Sequence, residues 1–148
     1  MGILLINGGE IGGNTTHLGH AFLEGRDFTQ IDLASLKVYD YGTHFADDQF
    51  DEVLEAMKAA DTIVIGSPVY WHDMSGMTRC LLDRCYGPVS SDDLAGKRLF
   101  FLFQGGAPTQ QMYERGEYTI NRFAGLYGMD YMGMARNASE ARALAAKL

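Results

Sequence analysis

TIVIGSPVYWHDMSGMTRCLLDR, residues Thr62 to Arg84, joins a buried strand to a helix through two adjacent aromatic residues. Ile63, Val64 and Ile65 form a short apolar run of the kind that is buried on both faces of a parallel sheet. Ser67-Pro68 reads as the turn that ends this strand. The following helix places Met77, Leu81 and Cys85 on one face. Tyr70 and Trp71 therefore fall at the carboxyl edge of a strand, where open α/β sheets receive their ligands.

The same grammar repeats on either side. Upstream, Ile3 to Asn7 is an apolar run closed by Gly8 and Gly9, and the turn GGEIGGNT opens a helix predicted from Thr15 to Glu24, with Leu18, Ala21 and Phe22 inward and Gly25 as its stop. Phe28 to Leu33 is a weaker strand, and Tyr39 to Asp48 is an irregular loop rich in Tyr, His and Phe. Asp47 or Asp48 caps a helix whose inner face is Phe50, Val53, Leu54 and Met57. Downstream, Leu99 to Phe103 is an all-apolar strand ending at Gln104, Gly105 and Gly106. Thr109 opens a fourth helix, Met129 to Met134 is a fifth strand, and Asn137 or Ser139 caps a last helix. Five strands alternating with five helices, without repeats or linkers, predict one α/β domain over residues 1–148. Its expected form is a flavodoxin-like three-layer sandwich, with a five-stranded parallel sheet in the order 2-1-3-4-5.

Composition narrows the partners. A net charge of -7 and no basic patch argue against a nucleic-acid surface. No apolar run approaches the ~20 residues of a membrane span, and the opening MGILLINGGE reads as a strand rather than a leader, so a cytoplasmic location is expected. Cys80 and Cys85 stand roughly 140° apart around a helix and have no ligand company, which makes them reduced packing thiols. The four histidines are scattered, and no metal is assigned.

The first turn has the physical attributes of a phosphate cradle. Gly8, Gly9, Gly12, Gly13, Asn14, Thr15 and Thr16 precede or open a helix, where unpaired amides and the helix dipole favour an anion. Two better-known loops fail here. Gly8 to Thr15 fits the nucleotide P-loop except that Asn14 stands in place of its lysine, and no frame from Gly8 to Gly13 fits the dinucleotide fingerprint. A cradle for one terminal phosphate remains, bound by amides and hydroxyls. The turn Pro68, Val69, Tyr70 and Trp71 and the turn Gln104 to Gly106 lie on the same sheet edge, so aromatic faces and free amides can grip a flat heterocycle while the cradle holds its phosphate.

These residues resemble the flavodoxin-like NAD(P)H-dependent FMN reductase and quinone reductase family. Its first turn reads like INGSPRKNGNT against INGGEIGGNT here, and its third like GSPVYWGNMSGQMKAFIDR against GSPVYWHDMSGMTRCLLDR. LAGKRLFFLFQGG is similar to the family's LKGKK, strand, TGG segment. The resemblance implies FMN, with its phosphate on Asn14, Thr15 and Thr16 and its ring against Pro68 to Trp71 and Gln104 to Gly106, and the cradle glycines Gly9 and Gly13 complete the expected cofactor-binding set. It also implies NADH or NADPH as co-substrate, a small-molecule acceptor such as a quinone or flavin, and often a homodimer. Tyr41, His44, Phe45 and His72 are the expected wall of the second-substrate pocket. The chemistry belongs to the flavin, so no catalytic side chain is expected. The chain departs from the family pattern by a first turn one residue shorter, without its basic pair and with Glu10 gained. A short flavodoxin that carries electrons between protein partners is the alternative, favoured by charge and length.

Overall fold

The apolar runs become the sheet. A computed structural model describes residues 1–148. In chain order its elements are β1 (Ile3–Asn7), α1 (Asn14–Phe22), β2 (Thr29–Asp32), a short helical turn, α2 (Phe50–Ala59), β3 (Thr62–Tyr70), β4 (Asp73–Met74), α3 (Gly76–Cys85), β5 (Arg98–Gln104), α4 (Gln110–Leu126), β6 (Asp130–Ala135) and α5 (Ala138–Leu144). The parallel sheet runs β2-β1-β3-β5-β6, and β4 pairs only with β3. Counted without β4, this is the expected 2-1-3-4-5 order and a flavodoxin-like sheet.

Alternation along the central strands builds two cores. Leu4, Ile6, Ile63, Ile65, Leu99, Phe101 and Phe103 face α2, α3 and α4. Ile3, Leu5, Val64, Phe100 and Leu102 face α1 and α5. Strands buried on both faces must be apolar at every position, which is why these runs are continuous.

One boundary differs from its expectation. Ser67-Pro68 is not a turn: β3 continues through both residues to Tyr70. The reason lies in its neighbours. β1 ends at Asn7, opposite Gly66, while β5 accompanies β3 as far as Pro68 opposite Gln104. Beyond Gly66 the strand is one-sided, so proline's missing N–H costs no ladder bond there. The chain reverses two residues later, at Trp71 and His72, into β4, with Val69 opposite Met74 and Tyr70 opposite Asp73. Both turn residues have positive φ, 47° and 68°, as a two-residue hairpin of the primed type demands and as bulky residues seldom adopt.

The loop before α2 is anchored on α3. Arg84 donates to the Asp48 carboxylate at 2.6 and 3.1 Å and to the Tyr39 carbonyl at 2.8 Å, with both charged side chains largely covered. Asp48 also accepts from the Phe50 amide at the start of α2, but the cap position itself is Gln49 rather than Asp47 or Asp48, and its side chain does not cap the helix. The Arg84 guanidinium holds the Asp48 carboxyl below the usual carboxylate range. A depressed folded value stabilises the protein above the unfolded pKa, near 4, and that contribution is lost as pH falls through the folded value. Asp48→Asn is therefore expected to cost about 1–2 kcal/mol at neutral pH. In urea unfolding between pH 6 and 2 its gap from the parent protein should close; a gap unchanged across that range contradicts the assignment.

Candidate functional site

The site is assembled by a buried amide. Asn7, the last residue of β1, is fully buried. Its side-chain carbonyl accepts from the Gly9 amide at 3.0 Å. Its side-chain nitrogen faces three oxygens: Asp32 Oδ1 at 2.8 Å, Thr16 Oγ1 at 3.0 Å and the Glu10 carbonyl at 3.2 Å. One side chain thus ties the first turn to α1 and to the end of β2. Gly8 is held from the other side, where Ser75 Oγ donates to its carbonyl at 2.6 Å. That hydroxyl also caps α3 by accepting from the Thr78 amide. Gly8 has no room for a side chain, since a Cβ would stand 1.9 Å from Thr78 Oγ1.

What this scaffold presents is an open helix start. Gly13, the residue before α1, supplies no side-chain cap. The amides of Asn14, Thr15 and Thr16 find no acceptor in the protein. Thr15 Oγ1 accepts from Gln104 Nε2 at 3.2 Å, which leaves its own proton free to donate. That hydrogen bond also joins the first turn to the third.

The first turn, the end of β3 and the turn after β5 surround one cavity of about 290 Å³. Gly9, Glu10, Gly13, Asn14 and Thr15 line it from the first turn, Pro68, Val69 and Tyr70 from β3, and Gln104, Gly105 and Gly106 from the end of β5. The end of β3 and the turn after β5 touch: a Cβ on Gly105 would lie 2.9 Å from Pro108 and 3.1 Å from Val69. The amides of Gly105 and Gly106 have no backbone acceptor. Tyr70 is half exposed at the rim, so its ring is available to a ligand. No lysine or arginine lines the cavity, and its one ionisable lining residue other than Tyr70 is Glu10.

Most of the residues expected at the site meet here. Thr16 stands just behind the cavity, with its hydroxyl taken by Asn7. Trp71 is at the hairpin tip, 95% exposed and outside the cavity lining. His72 is beside it, and its carbonyl accepts from Arg115 of α4 at 3.3 Å. Tyr41, His44 and Phe45 are not brought to the three turns. Tyr41 stands edge-on to Tyr86 over a groove between α3 and α4, and His44 and Phe45 line a polar recess beside Asp48 and Arg84. The contacts of Arg84 and Cys80 with the carbonyl of Tyr39 set that loop against α3.

Asn7 and Ser75 organise the site and were not singled out in the sequence. Polarity inside an otherwise apolar strand end was the available signal for Asn7. The thiols are structural: Cys80 donates to the Tyr39 carbonyl, and burial pushes Cys85 up to about 12. No three His, Cys, Asp or Glu side chains stand together as metal ligands would, and no helix is long and apolar enough to cross a membrane.

Comparison with known proteins adds a lineage to this geometry. A family described as NADPH-dependent FMN reductase matches residues 1–135. The chain is 29% identical over 93 residues to YwqN of Bacillus subtilis (strain 168), provisionally named an NAD(P)H-dependent FMN-containing oxidoreductase; the match covers 57% of this chain and 51% of that protein. The chain thus spans about half the length of this curated relative. Among solved structures, the Trp repressor binding protein from Bacillus subtilis superposes with a TM-score of 0.79 at 22% identity, covering 96% of this chain and 98% of the other. An FMN-dependent NADH-azoreductase from Bacillus anthracis str. Ames Ancestor, solved in complex with FMN, gives 0.71 at 14% identity over 99% and 95% of the two chains. At such identities these superpositions speak for the fold.

Proposed function

The chain belongs to the NADPH-dependent FMN reductase family, and from that premise we propose that it is an FMN-dependent oxidoreductase passing electrons from NADH or NADPH to a quinone, a free flavin or a similar small acceptor. The observation that carries this reading is the uncapped start of α1, opening into a cavity whose far wall is made by Pro68 to Tyr70 and Gln104 to Gly106. A phosphate and a flat ring joined by a short chain fit that arrangement. Bound FMN supplies the hydride and electron chemistry.

The chain's own residues bind and orient. The amides of Asn14, Thr15 and Thr16 and the Thr15 hydroxyl hold the phosphate, with the α1 dipole adding favourable potential. The amides of Gly105 and Gly106 donate toward the carbonyl edge of the ring, where negative charge grows on reduction. Tyr70 flanks the ring, and the neighbouring Trp71 stands free to meet an acceptor. A cytoplasmic setting, where NAD(P)H is available and both thiols stay reduced, suits this activity.

The homodimer that the resemblance implies is best placed on the α3–α4 face. There Tyr41, Tyr86 and Leu126 are exposed around an apolar groove of about 330 Å³, beside an Arg79–Asp83 pair that a two-fold copy could exchange. A sedimentation mass of one chain at micromolar concentration would exclude it.

Rapid mixing tests the activity. Protein loaded with FMN is expected to lose its yellow oxidised-flavin colour within seconds of meeting NADH or NADPH and to regain it when a quinone is added. Flavin that stays oxidised for minutes with both nucleotides would leave the electron carrier as the better reading.

A further inference from the structure

Trp71 is the chain's only tryptophan, and the fold leaves it in solvent. It sits at the tip of the β3–β4 hairpin, belongs to neither core, and has no guanidinium over its ring. Trp71 and His72 hold the backbone in the left-handed region, which bulky side chains avoid and which persists only where the surroundings impose it. Packing does not account for this tip.

Beyond the two ladder rungs to β3, the hydrogen bond that fixes it comes from Arg115. The guanidinium reaches over from α4 and donates from Nη1 to the His72 carbonyl at 3.3 Å. That uses one of five N–H groups and leaves the charge unmatched. Arg79, Arg84, Arg136 and Arg142 each face a carboxylate; Arg115 makes no ion pair. The acids nearest to it in the chain are engaged elsewhere, Glu114 accepting from Gln110 at 3.1 Å and Glu117 from the Tyr131 hydroxyl at 2.8 Å. Across the hairpin, Asp73 accepts from the Met74 amide at 2.8 Å. An open aromatic face and an unpaired cation therefore share one rim, next to the half-exposed Tyr70 that borders the flavin cavity.

In a chain of net charge -7, with Glu10 in the cavity lining, the field repels an approaching anion. Arg115 reverses that sign at the hairpin tip. A planar guanidinium with free N–H pairs matches the paired oxygens of a carboxylate or a sulfonate, and an indole face meets a flat ring.

We propose that the hairpin tip and Arg115 form a docking corner for the electron acceptor, and that the favoured acceptors are aromatic quinones bearing an anionic substituent. Trp71 meets the ring and Arg115 the anion. This rests on the flavin reading and narrows its acceptor class. The overall reaction is unchanged: the nicotinamide nucleotide gives a hydride and the medium a proton, and the quinone leaves as its hydroquinone.

Three probes of one ring system test it, 9,10-anthraquinone carrying a 2-sulfonate, a 2-carboxylate or a neutral 2-hydroxymethyl group. Because Trp71 is the sole indole, quenching of its fluorescence in FMN-loaded protein without nucleotide reads binding directly, and anaerobic nucleotide oxidation reads kcat/KM. Both anionic quinones should be favoured over the neutral one in both readouts. Arg115→Gln should lower that anionic-to-neutral ratio about fivefold, the size of one exposed ion pair, and Arg115→Glu should lower it further. Arg115→Lys should restore most of it, and 1 M salt should erase it in the parent protein. Equal treatment of the three quinones by an active enzyme, or a preference unmoved by Arg115→Gln and by salt, overturns the acceptor class and leaves the flavin reading standing. Arg115→Gln weakening all three alike would reduce Arg115 to a brace for the hairpin, which also overturns it. Flavin that neither nucleotide reduces overturns both.

Discussion

Asn7→Leu should lower the thermal unfolding midpoint by about 10 °C and weaken FMN binding more than tenfold. Leucine has nearly the same shape, so the change removes hydrogen bonds and leaves volume almost untouched. It strands the Gly9 amide and deprives Asp32, Thr16 and the Glu10 carbonyl of a shared donor, all around a fully buried position. Each stranded buried group costs about 1–3 kcal/mol, so a total near 3–5 kcal/mol is expected. A domain of this size loses roughly 2–4 °C per kcal/mol and starts with about 5–15 kcal/mol in hand, so the variant stays folded when cold and its FMN affinity can be measured.

Asn7→Asp gives the signed companion experiment. The acceptor for Gly9 remains, but a second carboxyl now faces Asp32 Oδ1. Two carboxyls so close raise one pKa above its ordinary value. A raised folded pKa stabilises below the unfolded value, and that contribution is lost as pH rises through the folded one. The variant should therefore gain stability relative to the parent on acidification from pH 7 to 5. Calorimetry showing a parallel pH profile, or Asn7→Leu shifting the midpoint by less than about 3 °C, would remove Asn7 from the role of organiser.

The contrast between Asn7 and its neighbours explains what the sequence made legible. Ile3 to Ile6, Ile63 to Ile65 and Leu99 to Phe103 announce themselves because burial on both faces forbids polar residues, and their order with the helices leaves few topologies. β2 is faint because TQID is a half-exposed edge whose polar side chains hydrogen-bond sideways, Gln30 to Asp32 and His20 to Gln30. The hairpin was hidden because its turn residues are Trp71 and His72, whereas local chemistry favours Asn-Gly. Ser67-Pro68 was the louder local signal, and only the ending of β1 at Asn7 makes it compatible with a strand. The turns after β1 and β5 could be read because glycines and strand ends are local features. The position of Tyr41, His44 and Phe45 could not, since a covered ion pair to α3 thirty-six residues along the chain decides it. Nor could the meeting of Arg115 with the hairpin tip, which the packing of α4 beside β4 creates.

Glu10→Lys should tighten FMN roughly 10- to 30-fold at low salt, with most of the gain lost at 1 M salt. In the proposed site the free amides at the start of α1 and the Thr15 hydroxyl supply the attraction for a phosphate, and Glu10, in the lining of the same cavity, works against them. The overall charge of -7 adds a long-range repulsion of the same sign. Replacing the acid with lysine changes the local charge by two units beside a group bearing nearly two negative charges. Glu10 is exposed, and its side chain makes no hydrogen bond inside the protein, so the fold should tolerate the change. The ligand pair separates this electrostatic account from simple repacking of the turn. Riboflavin, which lacks the phosphate, should bind the variant and the parent alike, and FMN should gain. Equal gains for riboflavin and FMN would mean that residue 10 governs the shape of the first turn and leaves its charge irrelevant. An unchanged FMN affinity at low salt would mean that the phosphate lies elsewhere than at the start of α1, which would undo the placement of every other group in the site.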